Sequence, residues 1–372
     1  MSARAPERIR VESDAGVLER FNVVELSNEL TAPSQCAFDV GDDGSYPALE
    51  AILRHGKTFR VYLADRLRLT GRVYAQEVPG NAEAGTTVRV TVRTKLADAF
   101  YASADPRTRV EKTSIKDFLV ALYAPLGLGA ADFVFKANVE RDLMTGVGTK
   151  AERPPASLEP LKVDQAKVTP PETIYEAAAK HLRRFGLLHW DTPDGRIFVG
   201  APDDQQLPIY RLVCKRGSAA VNNNLVDFQR FADWTDVPSS VDVYGGPGGK
   251  DIAKARLMGS AEWPDVKAEF HRPVILTNEG AKTQGQVDAQ ARRARAQRSK
   301  RKDAYEITLD TWSFWDGHKA IPFAPNTTAD VDIDAVGGPR GRYFVHRVAC
   351  REDAHSGRTT ALSLVAPGVW EV

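Results

Sequence analysis

Residues 87–93 read Thr-Val-Arg-Val-Thr-Val-Arg, and this stretch indicates how the chain folds. Its three valines share one face and its polar residues share the other. Successive side chains of a β-strand point to opposite faces, so this alternation predicts a half-buried strand. Residues 58–63 alternate in the same way, with apolar Phe59, Val61 and Leu63. Residues 67–74 predict another strand, in which Gly71 is a common sign of a bulge or tight bend.

A second β-rich region lies far along the chain. Residues 225–231 and 240–244 have the pattern of paired strands, and four further strands are predicted at residues 304–311, 328–333, 343–349 and 359–364. Repeated short strands separated by turns are typical of a barrel or a sandwich. The sequence therefore predicts two antiparallel β modules, at about 21–94 and at about 225–244 plus 305–372.

The segment between the modules has mixed character. Ser114 or Thr113 can cap a helix with apolar residues at 115, 118, 119 and 122. Residues 145–170 are rich in proline, glycine and charge without any period, which predicts a long exposed loop or linker. Residues 171–186 predict a helix that opens at a proline and closes at Gly186, and a hairpin over 187–200 follows.

The fold class is therefore α+β and mainly β. We expect a first β-barrel at residues 1–105 and an α+β domain at 106–210 that contains the linker near 145–170. The second barrel is expected at 211–250 and 304–372, with an inserted segment at 251–303 that carries a basic helix. At about 150 residues per domain, a chain of 372 residues has room for several domains.

Composition excludes several classes of protein. The 50 Lys and Arg residues nearly balance 49 Asp and Glu residues, so no overall charge attracts the chain to nucleic acid or a membrane. The sequence has no run of about 18 apolar residues for a membrane span, and its N-terminus lacks the apolar core of a signal peptide. Cys36, Cys214 and Cys350 are isolated, which is typical of buried residues in a reducing cytosol.

Each candidate for chemistry lacks a required residue. Residues 245–250, Gly-Gly-Pro-Gly-Gly-Lys, have Tyr244 and Asp251 where a phosphate-binding loop needs glycine and a hydroxyl, so we interpret them as a turn. Asp330, Asp332 and Asp334 have the spacing of a calcium loop, but Ala335 and Gly341 stand where glycine and glutamate are needed. We interpret these aspartates as the solvated face of a strand.

No catalytic, cofactor or metal site is predicted. The seven histidines form neither an HExxH motif nor a Cys/His pair at zinc spacing, and no GxSxG motif is present. A Ser/His/Asp triad has no support in the sequence, although the sequence does not exclude one.

Residues 292–302 contain seven basic residues in eleven and form the strongest charge cluster. One alternative is a nucleic-acid-binding helix. We favour a surface helix with Val287, Ala291 and Ala294 on its buried side, because no aromatic residues alternate with the charges. Its arginines are then expected to face solvent or a partner subunit.

The order of these features resembles the baseplate hub proteins of contractile-tailed bacteriophages, of the phage Mu hub or late-control-protein type. The resemblance covers nearly the whole chain and is least clear at 145–170 and in the basic helix. The residues that carry it are Val88–Thr94, Pro171–Ile174, Arg184–Leu188, Ile197–Val199, Asn223–Leu225, Trp312, Ala324–Thr327, Tyr343–Val345 and Gly357–Leu364.

The resemblance implies a structural role without enzymatic activity. Such hubs are homotrimers with two tail-tube-like barrels per chain, so three chains form a ring that joins a hexameric tube to a trimeric spike. Expected partners are the central spike protein, the tail tube or distal tail protein, the tape measure protein and the baseplate wedge proteins. No cofactor, specific nucleic acid or membrane is expected. The location would be the virion tail baseplate, after assembly in the host cytoplasm.

Two alternatives stay open. A hub or spike adaptor of a phage-like bacterial injection system would have nearly the same sequence features. A tail-associated cell-wall hydrolase would need a carboxylate pair in a cleft, and the sequence does not locate one.

Overall fold

The computed structural model describes most of the chain. The described residues are 8–41, 50–54, 56–81, 85–135, 139–147, 162–215, 223–246, 256–278, 281, 283–334, 340–354 and 357–370. Strands dominate, and 14 of them join in a single sheet. The predicted class, α+β and mainly β, is confirmed.

The first module supplies eight strands to this sheet. They are β1 (Ile9–Ser13), β2 (Gly16–Leu18), β3 (Val23–Glu29), β4 (Gln35–Gly41), β5 (Thr58–Leu63), β6 (Arg66–Glu77), β7 (Gly80–Asn81) and β8 (Gly85–Thr94). The predicted inward faces of β5 and β8 are confirmed, since their alternate apolar residues are fully buried. A Cβ on Gly71 would lie 2.2 Å from the carbonyl oxygen of Arg93, so the close approach of β6 to β8 requires glycine there.

The middle unit combines helices with short strands. Its elements are α1 (Leu96–Tyr101), β9 (Arg109–Ser114), α2 (Ile115–Tyr123), β10 (Phe133–Val134), α3 (Val139–Thr145), β11 (Lys162–Lys167), α4 (Ile174–Leu182), β12 (Leu188–Asp191) and β13 (Ile197–Gly200). Ser114 caps α2, because its Oγ accepts a hydrogen bond from the Asp117 N–H at 3.0 Å. Thr173 and Glu176 form a capping box on α4. Gly186, with φ of 75°, ends the helical turn that follows α4.

The predicted loop over residues 145–170 is wrong at its end. Residues 162–167 form β11, which pairs antiparallel with β9, and residue 145 is the last residue of α3. β11 contains only two apolar residues, and they do not alternate with polar ones. The strand forms by pairing with β9, which its own sequence does not predict. The remaining part of the loop, residues 148–161, lies outside the described residues.

The second module supplies six strands to the large sheet, together with a small hairpin. The elements are β14 (Tyr210–Cys214), β15 (Asp227–Phe231), β19 (Ala304–Leu309), β20 (Ser313–Trp315), β21 (Ala320–Pro322), β22 (Thr327–Ile333), β23 (Gly341–Asp353) and β24 (Gly357–Val365). β20 and β21 form the hairpin. The predicted strands of the C-terminal run are confirmed within a few residues at each end.

Between β15 and β19 lies an inserted unit, residues 237–302. It contains β16 (Ser240–Gly245), β17 (Leu257–Glu262), α5 (Pro264–Glu269), β18 (Pro273–Asn278) and α6 (Gln284–Arg298). The predicted pairing of residues 225–231 with 240–244 is wrong. β15 pairs with β19, whereas β16 is the central strand of a separate three-stranded sheet. Residues 240–245 therefore belong to the inserted unit and not to the second module. An alternating pattern predicts that a segment is a strand, but it does not predict which strand it pairs with.

The two modules are continuous through β23. Its first part, residues 341–345, pairs with β22, and its second part, residues 347–353, pairs with β3 of the first module. The register shift between Val345 and Arg347 marks the change of partner. Buried residues of both modules form one apolar core, in which Cys36 and Cys350 are fully buried, while Cys214 is partly buried at its margin. The middle unit and the inserted unit have cores of their own.

Among the residues that the structure describes, no helix is both long and apolar enough to span a bilayer.

Candidate assembly interface

The sequence motifs that suggested chemistry lie apart from one another. Within the described part of the chain, no three His, Cys, Asp or Glu side chains are placed to hold a metal ion. Asp330 and Asp332 lie on β22, where Asp332 forms ion pairs with Lys215 and Arg340. The hydrogen bond from Lys215 lowers the pKa of Asp332. Gly245 ends β16, and residues 247–250 of the glycine-rich stretch lie outside the described residues.

A histidine and a tyrosine meet inside the middle unit. His189 Nε2 lies 2.7 Å from the hydroxyl oxygen of Tyr123, and both side chains are almost completely buried. Burial, assisted by the charge of Arg183, lowers the pKa of His189 to about 3. The ring of Tyr175 packs on His189 at a centroid distance of 4.4 Å. This enclosed pair has no solvent-facing side, so we interpret it as part of the core.

A buried polar network connects the middle unit to the first module. Asp191, at the end of β12, accepts hydrogen bonds from Ser34 N at 2.7 Å, from Ser34 Oγ at 2.9 Å and from Thr94 Oγ1. Burial raises the pKa of Asp191, and these hydrogen bonds act in the opposite direction. A buried carboxylate is stable only when such donors compensate for its lost hydration. The network therefore fixes β12 against the loop before β4 and against the end of β8.

The same network continues to a buried cation, Arg68. The Nη2 of Arg68 donates to Asn28 Oδ1 at 3.1 Å, and Asn28 Nδ2 donates to Ser34 Oγ at 3.0 Å. Arg68 is only 1% exposed, and burial lowers its pKa. Its Nε and Nη1 have no hydrogen-bond partner among the described residues. We call the five residues Arg68, Asn28, Ser34, Asp191 and Thr94 the junction network.

Sequence reasoning missed the junction network for a specific reason. Simple alternation in residues 67–74 places Arg68 on the outer face with Thr70 and Arg72. In the structure Tyr62 pairs with Leu67 and Val61 pairs with Leu69, so Arg68 is the extra residue of a β-bulge and points inward. An arginine between two leucines was the available signal, but it does not distinguish a bulge from an ordinary solvated position.

Among the residues that the structure describes, the large sheet has an open edge on each module. The main path of paired strands ends at β2 in the first module and at β15 in the second, and β14, which among the described strands pairs only with β22, is a further edge of the second module. Val17 in β2 is 53% exposed, and Val226, just before β15, is 62% exposed. Unpaired edge strands are ready to pair with or pack against another chain. Since β2 and β15 differ, a contact between them would join two copies head to tail.

Beside β2 lies a shallow groove with apolar and charged walls. Its lining consists of Arg10, Glu12, Val17, Leu18, Glu19, Arg20 and Val40. The two arginines and the two glutamates balance, so the groove favours neither anionic nor cationic ligands. A mixture of apolar and charged residues is common at protein contacts.

The basic helix α6 packs on the small sheet through its apolar side. Val287 and Ala291 are fully buried and Ala294 is partly buried, as predicted, and Ala296 is buried as well. Packing here is close, because a Cβ on Gly259 of β17 would lie 2.5 Å from the backbone of Val287.

The arginines of α6 divide into two groups. Arg295 lies over the Trp263 ring, 4.1 Å from its centroid, and donates to the carbonyl oxygen of Glu262 at 2.7 Å. Arg293 Nε donates a hydrogen bond to the carbonyl oxygen of Ala289 in the same helix. Arg292 and Arg298 are exposed. The expectation that all four arginines face outward is therefore correct for Arg292 and Arg298 only.

The base of the inserted unit is held by cation–aromatic contacts that the sequence did not suggest. Lys302 Nζ lies 4.7 Å from the Trp263 ring and forms an ion pair with Asp265, and Lys300 Nζ lies 3.8 Å from the Trp370 ring. Trp263 Nε1 donates to Ser299 Oγ at 2.7 Å. The aromatic partners lie outside residues 292–302, so the sequence of that segment did not indicate these contacts.

Two solved tail proteins share this fold over nearly their whole length. A tail protein from Neisseria meningitidis MC58 is 18% identical, with a TM-score of 0.76 over 99% of this chain and 98% of that chain. The 43 kDa tail protein of prophage MuSo2 from Shewanella oneidensis is also 18% identical, with a TM-score of 0.72 over 98% of this chain and 99% of that one.

A more distant structural similarity is to a component of a secretion system. The Escherichia coli protein c3393 is a component of the type VI secretion system with structural similarity to T4 bacteriophage tail proteins gp27 and gp5. It is 10% identical, with a TM-score of 0.50 over 98% of this chain and 75% of that chain. No protein-family model matches the sequence, and neither does any curated protein. The predicted resemblance to phage tail proteins is thus confirmed at the level of the fold.

Proposed function

We propose that this chain is the structural hub of a contractile-tail baseplate. Three copies form a ring that joins a hexameric tail tube to a trimeric central spike. The observation that carries the proposal is one sheet whose main path runs through two β modules, from β15 in the second to β2 in the first, so that its two ends are different strands. Unlike edges join head to tail, and such contacts form a closed ring when the rotation between copies permits. Three copies of a two-module chain offer six module positions around the axis.

The partners follow from this geometry. One side of the ring meets the tail tube or distal tail protein, with the tape measure protein, and the other side meets the spike. Baseplate wedge proteins surround the ring in the assembled virion, and assembly takes place in the host cytoplasm. The middle and inserted units lie to one side of the ring, toward the spike.

The main experiment measures mass and symmetry together. Native mass spectrometry of the purified chain should give three copies, and averaged electron micrographs should show three-fold rings with six lobes. We expect residues 21–94 to superpose on the strands of the second module. A two-fold dimer, or modules that do not superpose, would contradict the proposal.

Edge variants test whether the open strands make the contact. Lysine on an edge strand discourages pairing, so Val17→Lys and Val226→Lys should each weaken trimer formation. Val78→Lys is the matched control, because Val78 is an exposed valine in the turn after β6, away from the two ends of the sheet. Equal trimer formation by all three variants would show that β2 and β15 do not form the contact between copies.

The chain acts without catalysis in this proposal. Purified protein should leave peptidoglycan intact in a zymogram. Clearing that disappears when one carboxylate is changed would instead support a tail-associated hydrolase.

A hub or spike adaptor of a bacterial injection system is the second candidate, favoured by the likeness to the secretion-system component. Isolation of the native particle separates the two. A DNA-filled head on the particle supports a phage hub, and a headless contractile particle supports the injection system.

A further inference from the structure

Charge is distributed unevenly along the chain. The inserted unit, residues 237–302, holds 13 of the 50 Lys and Arg residues but only 7 of the 49 Asp and Glu residues. Its net charge is therefore +6, and the rest of the chain has −5. Opposite charges on two surfaces of one molecule favour association between copies, because each copy offers both surfaces.

On helix α6 of the inserted unit, the arginines available to a partner are Arg292 and Arg298. Both are exposed on α6, whereas Arg293 and Arg295 are held against the unit itself. No aromatic side chain contacts either exposed arginine among the described ring contacts. Without a stacking platform, these arginines suit carboxylates better than the bases of a nucleic acid.

A matching acidic surface lies on the second module. Asp227 of β15, Glu306 of β19 and Asp310, just after β19, are all exposed. Of these, Glu306 also accepts a hydrogen bond from Ser363 Oγ at 2.9 Å and lies near Arg347. The register opposes Glu306 to Gln229 and Thr308 to Asp227, so these side chains share one outward face of the strand pair. Arg230 belongs to the opposite face, where it forms an ion pair with Asp303. We call Asp227, Glu306 and Asp310 the acidic face.

Asp227 and Asp310 lie away from the point where the inserted unit joins the sheet. The inserted unit leaves the sheet at the end of the strand pair where Phe231 and Ala304 meet, whereas Asp227 and Asp310 lie at the other end. Four residues of strand separate Phe231 from Asp227, which is about 13 Å. Arg272 Nη1 of the unit also donates to the carbonyl oxygen of Trp234, outside the unit, at 2.8 Å.

We propose that Arg292 and Arg298 of one copy dock on the acidic face of a second copy. The inference rests on the proposed self-assembly and assigns one of its contacts. The acidic face borders β15, the open edge of the second module, so docking there would reinforce an edge contact. Exposed ion pairs are individually weak, and we expect their joint effect to decrease with salt.

A charge-swap experiment tests the pairing. Sedimentation velocity would compare the wild type with Arg292→Glu/Arg298→Glu and with Asp227→Arg/Asp310→Arg. Each double variant should weaken self-association about tenfold at low salt, and the combined variant should recover most of it. Lys116→Glu, at an exposed position of α2 in the middle unit, is the matched control and should associate as the wild type does. Thermal melts would verify that every variant is folded.

Each outcome has one meaning. Recovery in the combined variant supports the docking contact. Wild-type trimers with no loss in the double variants overturn it and leave the proposed ring intact, as does loss without recovery. A wild type that stays monomeric at all concentrations overturns both the inference and the ring. Salt-sensitive binding of a DNA duplex that is lost in Arg292→Glu/Arg298→Glu would assign these arginines to nucleic acid and overturn the docking contact.

Discussion

Two contacts within the chain are of opposite kinds: the junction of the first module with the middle unit, and the base of the inserted unit. At the junction, hydrogen bonds among buried polar groups lie within a continuous apolar core. At the base of the insertion, the cations of Arg295 and Lys302 lie on the partly exposed ring of Trp263. Buried polar groups are costly when one partner is lost, whereas exposed contacts contribute little individually. We infer that the first module and the middle unit behave as one rigid body and that the inserted unit opens more easily.

The largest effect is expected at Asp191. Asp191→Ala removes the acceptor of three buried hydrogen bonds and the carboxylate at the end of the network from Arg68. Breaking a buried polar network of this kind should lower the free energy of unfolding by about 3–5 kcal/mol. Urea denaturation measures this change.

Asp194→Ala is the control for that prediction, because Asp194 lies in the same hairpin and forms a half-exposed ion pair with Arg196. Its loss should cost about 1 kcal/mol or less. Similar losses of stability in both variants would mean that the buried hydrogen bonds of Asp191 contribute no more than the half-exposed ion pair of Asp194.

Acid should act on the middle unit beside the junction through His189. Burial holds its folded-state pKa at about 3, and its unperturbed value is 6.5, so the unfolded chain binds the proton first as pH falls. Stability is therefore retained above about pH 6.5 and is lost toward pH 3, by about 1.4 kcal/mol per pH unit. The measurement is urea denaturation at a series of pH values.

His189→Phe should flatten this pH dependence. It should also lower stability at neutral pH, because the hydroxyl of Tyr123 loses its partner. His318→Gln, at an exposed position, is the control and should keep the wild-type slope. An unchanged slope in His189→Phe would show that another group binds the proton.

A smaller and local effect is expected at the base of the insertion. Trp263→Ala removes the ring under Arg295 and Lys302 and the hydrogen bond to Ser299. Hydrogen exchange of residues 256–278 should speed up by an amount equal to about 1–2 kcal/mol, while residues 87–94 stay protected. Trp315→Ala, which changes a tryptophan that is 41% exposed, should leave both segments unchanged. Faster exchange in both segments would mean that the inserted unit does not open independently.

The smallest effect compares the two sides of α6. Arg295→Ala loses a stacked and hydrogen-bonded side chain and should cost about 1 kcal/mol. Arg292→Ala changes an exposed residue and should stay within about 0.5 kcal/mol of the wild type. Thermal unfolding of both variants checks the order, and a larger loss for Arg292 would contradict the division of arginines described above.

The sequence by itself determined the strands and their inward faces. Alternation in residues 58–63 and 87–93 predicted the buried residues of β5 and β8, because side-chain direction in a strand is a local property. Helix starts were equally local, since Ser114 and Thr173 cap the helices that follow them. The order of these elements along the chain also carried the resemblance to tail proteins.

Only the tertiary structure decided which strands are neighbours. The pairing of β23 with both β22 and β3, and the placement of β16 in a separate sheet, depend on contacts between residues far apart in sequence. The inward turn of Arg68 depends on a bulge against β5, and the cations of residues 295–302 meet rings from other segments. Local alternation gives a side chain its face, but register and partner come from packing across the whole molecule.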